Sequence, residues 1–164
     1  MLVEPLPALY EKLISRNRSA WTVRTRLSTK QRPEIIRFSI GGSSEETQAG
    51  ILADGARGVG EMVEMQCLPL YSLLLAVVNP TVDFLSLDIE GAEYQVLKTI
   101  PWEKVDIRTL SVETQFAGDV LEGSRKDIID LLTGVGYSHF GSLARDDIFC
   151  SFAPYWNEPK NQVV

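Results

Sequence analysis

Three carboxylates follow one apolar run of the sequence within six residues, and their types and spacing could support chemistry. Asp88, Glu90 and Glu93 come directly after Phe84-Leu85-Ser86-Leu87 and surround Gly91. The apolar run predicts a buried strand, and the glycine with the helical pattern behind it predicts a strand-to-helix turn. In open α/β sheets, ligands bind in the crevice beyond the carboxyl ends of such strands. We therefore expect a functional site at this turn.

A carboxylate at the end of a strand has several possible roles. It can act as a general base, hold a substrate hydroxyl or bind a divalent metal ion. Asp88 and Glu90 are the candidates for such roles. The alternative, which fits Glu93 best, is that the charge only favours the positive N-terminal end of the following helix. We assign no metal ligands from the sequence.

Two more acidic residues end predicted strands. Glu113 closes the next strand of the pattern. In a parallel sheet its end would lie beside Asp88, at the lateral strand spacing of about 5 Å. Glu4 ends an early strand, where a carboxylate can accept hydrogen bonds from both hydroxyls of a ribose. The alternatives are a loop-facing polar cluster for Glu113 and a solvated strand-end carboxylate for Glu4.

The elements that must position these residues follow from hydrophobic spacing and from proline and glycine breaks. Strands alternate with helices of about ten residues, which predicts an α/β fold with a mostly parallel sheet and two antiparallel closing strands. Residues 41–60 form a predicted surface loop, Ser124 is a predicted helix N-cap, and residues 144–147 are a predicted polar turn. The predicted strands cover residues 1–4, 21–25, 35–40, 62–67, 82–88, 107–113, 137–143 and 148–152, and the helices cover 6–14, 69–78, 92–100 and 125–132.

Composition narrows the class of protein. A chain of 164 residues fits one domain, which we place at residues 1–153 with a C-terminal tail over 154–164. The net charge of -6 argues against a nucleic-acid partner. No apolar run reaches the ~18 residues of a membrane span, so the sequence predicts a soluble, cytoplasmic chain. Cys67 and Cys150 are expected to be buried free thiols, and His139 to be a packed or partner-bonded residue.

The acidic motif resembles one known family. Residues 87–93 (Leu-Asp-Ile-Glu-Gly-Ala-Glu), a following Val96-Leu97-Lys98 and a strand ending in Glu113 resemble the FkbM-type methyltransferase family, as does Val3-Glu4-Pro5-Leu6-Pro7. The resemblance covers roughly residues 1–152. The sequence of residues 67–71 and 86–94 is similar to that of the animal branch of the family, which includes the insect protein Star.

The resemblance implies a Rossmann-like fold that binds S-adenosylmethionine (SAM) and methylates a hydroxyl of a small molecule or glycan. Glu4 would bind the ribose hydroxyls of SAM. Asp88 would lie near the methyl donor and act as the base, with Glu90 facing the same crevice. Glu113 would orient the acceptor. The family's first strand and glycine-rich turn, which precede the Glu4 strand, are not among these residues, so the resemblance implies an N-terminally incomplete domain.

The Star-like branch implies an alternative function. Its members are associated with secretory-pathway membranes and with trafficking of growth-factor precursors. On that interpretation the chain would belong to a longer protein of the endoplasmic reticulum, Golgi or endosomal membrane. It would use the fold to bind a membrane protein cargo in vesicle-mediated transport, without catalysis.

Overall fold

The computed structural model describes residues 1–40, 61–77, 81–119 and 121–151 of the chain. A short 3-10 helix, Trp102–Lys104, precedes the strand Asp106–Glu113. The predicted loop over 41–60 and the predicted tail over 154–164 lie outside the described residues. The elements in chain order are β1 (Leu2–Val3), α1 (Pro7–Ser15), β2 (Thr22–Val23), β3 (Arg26–Leu27), β4 (Glu34–Ile40), β5 (Glu61–Leu68), α2 (Leu70–Ala76), β6 (Thr81–Leu87), α3 (Glu93–Thr99), β7 (Asp106–Glu113), α4 (Arg125–Gly134), β8 (Tyr137–Leu143) and β9 (Asp146–Ser151).

The mixed α/β class is confirmed, and so are the antiparallel closing strands β8 and β9. The expected single, mostly parallel sheet is not what the described residues form. They form three sheets, in the orders β1-β2, β3-β5-β4 and β6-β7-β9-β8. Three of the strand pairs are parallel and three are antiparallel. β8 and β9 can pair directly because a two-residue turn joins them, whereas a parallel pair needs a long crossover.

The strand predicted over residues 21–25 is shorter than expected, since only β2 lies within it, and the separate strand β3 follows two residues later in another sheet. β2 pairs with β1, and β3 pairs with β5. Between them, Thr25 is almost fully buried, and its hydroxyl donates to the carbonyl of Gln66 at 2.8 Å. This contact holds the chain beside β5 rather than beside β1. It is a tertiary contact, and the alternation of apolar and polar residues along a short segment does not predict it.

The main core lies between the β6-β7-β9-β8 sheet and the helices packed on it. Its fully buried side chains include Leu97, Leu110, Ile128, Leu132 and Phe149. Burying each such side chain stabilises the fold by about 1.5–3 kcal/mol. The helix α4 begins at the predicted N-cap, where Ser124 and Asp127 exchange side-chain and backbone hydrogen bonds in a capping box.

The strand register sets the positions of the site residues. β6 and β7 are parallel, with Leu87 opposite Val112, so Asp88 and Glu113 follow at the same level. β9 runs antiparallel on the other side of β7, with Asp146 opposite Glu113. The carboxyl ends of two strands and the start of a third therefore meet at one edge of the sheet.

A groove of about 720 Å³ lies between β6 and β1. Within the described residues β6 has a strand partner on one side only, so its other edge faces this groove. Phe84, in the middle of β6, is 59% exposed. The walls are largely apolar and include Leu70 and Leu74 of α2. The groove runs from the end of β1 to the turn after β6.

Candidate functional site

The turn after β6 has an uncommon backbone conformation. Glu90 has φ of 59° and Gly91 has φ of 96°, so two consecutive residues are left-handed. Glycine adopts this conformation freely, but a residue with a side chain pays roughly 1 kcal/mol or more. The strand-to-helix turn that the glycine predicted is present, and Asp88 and Glu90 both line the groove.

Glu93 stabilises this turn. One of its carboxylate oxygens accepts hydrogen bonds from the backbone N–H of Ile89 at 2.8 Å and of Gly91 at 3.2 Å, and the other accepts from Gly91 at 3.0 Å. The side chain is almost fully buried. Burial raises its pKa, and the backbone N–H groups partly oppose that rise. Glu93 is thus occupied in holding the loop, and it is unsuited to bind a ligand.

Asp88, Glu90 and Glu113 converge. One carboxylate oxygen from each lies within 4.8 Å of the other two. The expected proximity of Asp88 and Glu113 is therefore confirmed, because their strands are parallel neighbours in register. Asp88 is exposed, Glu90 is half-buried and Glu113 is only 3% exposed. The site is a carboxylate cluster with one buried and two accessible members.

This convergence changes the acidity of the cluster. Burial, a side-chain hydrogen bond with Asp88, and the charges of Asp88, Glu90 and Glu93 raise the pKa of Glu113 from 4.5 to about 8. Burial and the Asp88 charge also raise the pKa of Glu90. Like charges this close disfavour joint ionisation, so Glu113 is mostly protonated at neutral pH. A carboxyl tuned in this way is typical of a catalytic or binding site.

Glu4 lies at the end of the groove next to β1, away from the turn after β6. Its Oε1 accepts a hydrogen bond from the backbone N–H of Leu6 at 2.8 Å, at the start of α1. Glu4, Asp88 and Glu90 all line the groove. Glu113 instead reaches the site from β7, through its contact with Asp88. The structure therefore brings together all four site residues predicted from the sequence, in one continuous region.

Asp147 is a residue whose importance the sequence analysis missed. The prediction placed it in a polar turn, but β9 already begins at Asp146, and Asp147 is fully buried. Its side chain shares a face of β9 with Phe149, two residues on, and this alternation with a buried aromatic was the available signal. The carboxylate accepts bonds from four side chains, Thr114, Arg125, His139 and Ser142, at 2.7–2.8 Å.

These bonds fix the acidity and the role of Asp147. Burial acts to raise its pKa, yet the hydrogen bonds from Arg125, Ser142, Thr114 and His139 hold the pKa well below its usual range. His139 is a partner-bonded residue, as expected from the sequence, and its ring packs 5.1 Å from that of Phe149. The network fastens the segment after Glu113 to α4 and β8.

Arg145 is a second missed residue. It lies in the turn between β8 and β9, and its carbonyl accepts from the backbone N–H of Thr114 at 3.0 Å. Its charge opposes the rise in the pKa of Glu90. The antiparallel β7–β9 register brings this exposed cation to the carboxylate cluster. That register depends on long-range pairing, so no local motif indicated it.

Comparison with protein families decides the relationship of this chain. Residues 1–138 match the model of the Methyltransferase FkbM domain. The chain belongs to the FkbM methyltransferase family. This confirms the resemblance seen in the acidic motif, and the match spans Glu4, Asp88, Glu90 and Glu113. It is a match to the family as a whole, and it does not support the Star-like branch.

The FkbM match ends before β9, so Arg145 and Asp147 complete the site from beyond the matched residues. Comparisons with curated proteins and with solved structures find no significant match. Within the described parts of this FkbM chain, no helix has the length and apolar character needed to cross a membrane.

Proposed function

We propose that this FkbM-family chain is a SAM-dependent methyltransferase that transfers a methyl group to a hydroxyl of a small molecule or glycan. The proposal includes a Rossmann-like arrangement of the parallel strand pairs about the groove. The observation that carries it is the Asp88–Glu113 carboxyl pair at the end of a groove that Glu4 also lines. Membership of the FkbM family supports methyl transfer in general, and the groove supports the assignment of a binding site for the methyl donor and the acceptor.

The described residues fit SAM in size and chemistry. A volume of about 720 Å³ is within the range of ligand pockets, roughly 300–1,000 Å³. Apolar walls such as Leu70 and Leu74 suit a flat adenine ring. Glu4 Oε2 would accept hydrogen bonds from the ribose hydroxyls, since Oε1 already accepts one from the backbone N–H of Leu6. When bound, SAM supplies an electrophilic methyl group on a positively charged sulfur, whose charge suits the carboxylates at the other end.

The side chains of this chain would have two tasks. They must hold the acceptor hydroxyl in line with the methyl donor, and they must take up its proton. Asp88 is the exposed member of the carboxyl pair, so it is the group that reaches the hydroxyl. Glu113 is buried behind it and orients its carboxylate through the shared hydrogen bond. Asp147 acts as a positioning residue, because it fastens Thr114, the neighbour of Glu113.

A calorimetric titration tests the donor site. SAM is titrated into the 164-residue chain, into Glu4→Gln and into the control Glu11→Gln. Glu11 is exposed on α1, so its substitution changes the net charge equally without touching the groove. Glutamine at position 4 can still accept the Leu6 hydrogen bond, which keeps the local fold. We expect the Glu4 variant to bind SAM about tenfold more weakly, or roughly 1.4 kcal/mol, and the control to match the wild type.

Two outcomes contradict the proposal. One is that the chain does not bind SAM at about millimolar concentration. A Kd of about 1 mM corresponds to a binding free energy of only about 4 kcal/mol. The other is that Glu4→Gln and Glu11→Gln bind SAM equally well.

A further inference from the structure

We propose that Asp88, Glu90 and Glu113 bind one divalent, oxygen-preferring cation, of the class of Mg²⁺, Mn²⁺ and Ca²⁺. The sequence led us to assign no metal ligands. The inference comes from the way the fold brings the three carboxylates together and from one buried oxygen among them.

The spacing of the ligand atoms fits a single ion. Mg²⁺ and Ca²⁺ bind carboxylate oxygens at about 2.0–2.6 Å, so two ligands of one ion lie at most about 5 Å apart. One oxygen from each of the three side chains lies within 4.8 Å of the others. A small change in side-chain torsions therefore suffices to place all three around an ion. Ligands that are all oxygen favour hard cations over zinc or copper.

An independent observation points to a missing partner. Glu113 is only 3% exposed, and among the described residues no N–H or O–H group donates a hydrogen bond to its Oε2 atom. A buried oxygen without a partner costs roughly 1–3 kcal/mol, and more if it is charged. Nearly all buried polar groups in native proteins are satisfied, so such an atom calls for an explanation. A cation bound beside it would satisfy the oxygen and neutralise the cluster.

Protein cations do not fill this role. Among the residues that the structure describes, none of the salt bridges involves Asp88, Glu90 or Glu113. Arg145 acts on Glu90 from an exposed turn, at the solvent side of the cluster. Glu93 also lies near, but the backbone of the turn occupies its oxygens. The buried side of the cluster is thus left to a ligand.

The position of the ion would complement the groove. Asp88 and Glu90 line the groove, and Glu113 approaches from β7. The open coordination positions would therefore face the groove and take water or an oxygen of the acceptor. A cation there would favour the ionised hydroxyl. This last consequence rests on the proposed function, whereas binding of the ion does not.

The test is a titration of the SAM-free, 164-residue chain with MnCl₂, followed by electron paramagnetic resonance, with Mg²⁺ and Ca²⁺ as competitors. The variants are Asp88→Asn, Glu113→Gln and the control Glu103→Gln. Glu103 is an exposed carboxylate in the 3-10 helix before β7, so it lies at the opposite end of that strand. Asp88 is exposed, and its variant is expected to fold even if the buried position proves sensitive.

We expect one bound Mn²⁺ per chain, displaced by Mg²⁺ or Ca²⁺, with affinity reduced at least about tenfold in Asp88→Asn and Glu113→Gln and unchanged in the control. The proposal is overturned if no Mn²⁺ binds at about 10 mM, beyond the weakest sites of this class. It is also overturned if Asp88→Asn binds like the control. SAM binding is measured separately by calorimetry. Absence of Mn²⁺ binding with SAM binding retained would therefore overturn only the metal proposal, and absence of SAM binding with Mn²⁺ binding retained would overturn only the proposed function.

Discussion

Replacing Glu113 by glutamine should stabilise the metal-free protein, and the gain should depend on pH. The fold raises the pKa of this carboxyl from 4.5 to about 8. A carboxyl whose pKa is higher in the folded than in the unfolded protein lowers the free energy of unfolding. This loss grows as the pH rises from the pKa of the unfolded state to the pKa of the folded state. The slope is about 1.4 kcal/mol per pH unit. Wild-type protein at about pH 7 should therefore be up to about 3 kcal/mol less stable than it would be with a neutral group there.

Glutamine has nearly the shape of the protonated carboxyl but does not titrate. The free energy of unfolding of Glu113→Gln should thus match the wild type near about pH 4.5 and exceed it by up to about 3 kcal/mol near pH 7. Urea unfolding at a series of pH values, with a chelator present, measures this difference. Glu103→Gln is the control, and its difference from the wild type should not follow this pH course. A Glu113 variant that is less stable at neutral pH, or a difference that is constant across the range, would refute the reasoning.

Two predictions concern the surroundings of the site. A Cβ added at Gly123, whose φ is 107°, would lie 2.3 Å from Cδ1 of Tyr94. Gly123→Ala should therefore lower the free energy of unfolding by about 2 kcal/mol or more, whereas alanine at Gly134, where nothing lies within 4 Å, should have little effect in the same urea series. Asp147→Asn should cost about 3 kcal/mol, since it removes the buried charge that Arg125 pairs with. Because folding lowers the pKa of Asp147, its contribution to the free energy of unfolding is fully present above the pKa of the unfolded state. That contribution is lost as the pH falls below this value. The wild type should thus lose its advantage over the asparagine variant in acid, and an advantage independent of pH would contradict this role.

Parts of the site could be predicted because local patterns encode them. The strand before Asp88 and the strand that ends at Glu113 are marked by apolar runs. Parallel neighbours end at the same edge, so the two carboxylates had to meet once the pairing was right. The start of α4 was equally local, since a serine N-cap needs only the next turn of helix.

The remaining parts depend on long-range pairing. The partners of Asp147 come from the segment after β7, from α4 and from β8. No pattern within one segment indicates that they meet. The early end of β2 and the start of β3 in another sheet have the same origin, because they depend on the contact of Thr25 with a distant strand. The orphan oxygen of Glu113 likewise becomes visible only once the sheet is assembled.

The open edge of β6 has a consequence for how affinity is measured. Among the residues that the structure describes, the edge of β6 that faces the groove has no strand partner. Such an edge can template the addition of a strand from another molecule, and Phe84 on the same strand is an exposed apolar side chain. A strand added there would occupy the same groove that we assign to SAM. Self-association and ligand binding would then exclude one another by mass action. The apparent affinity for SAM should fall as protein concentration rises, and dilution should restore it.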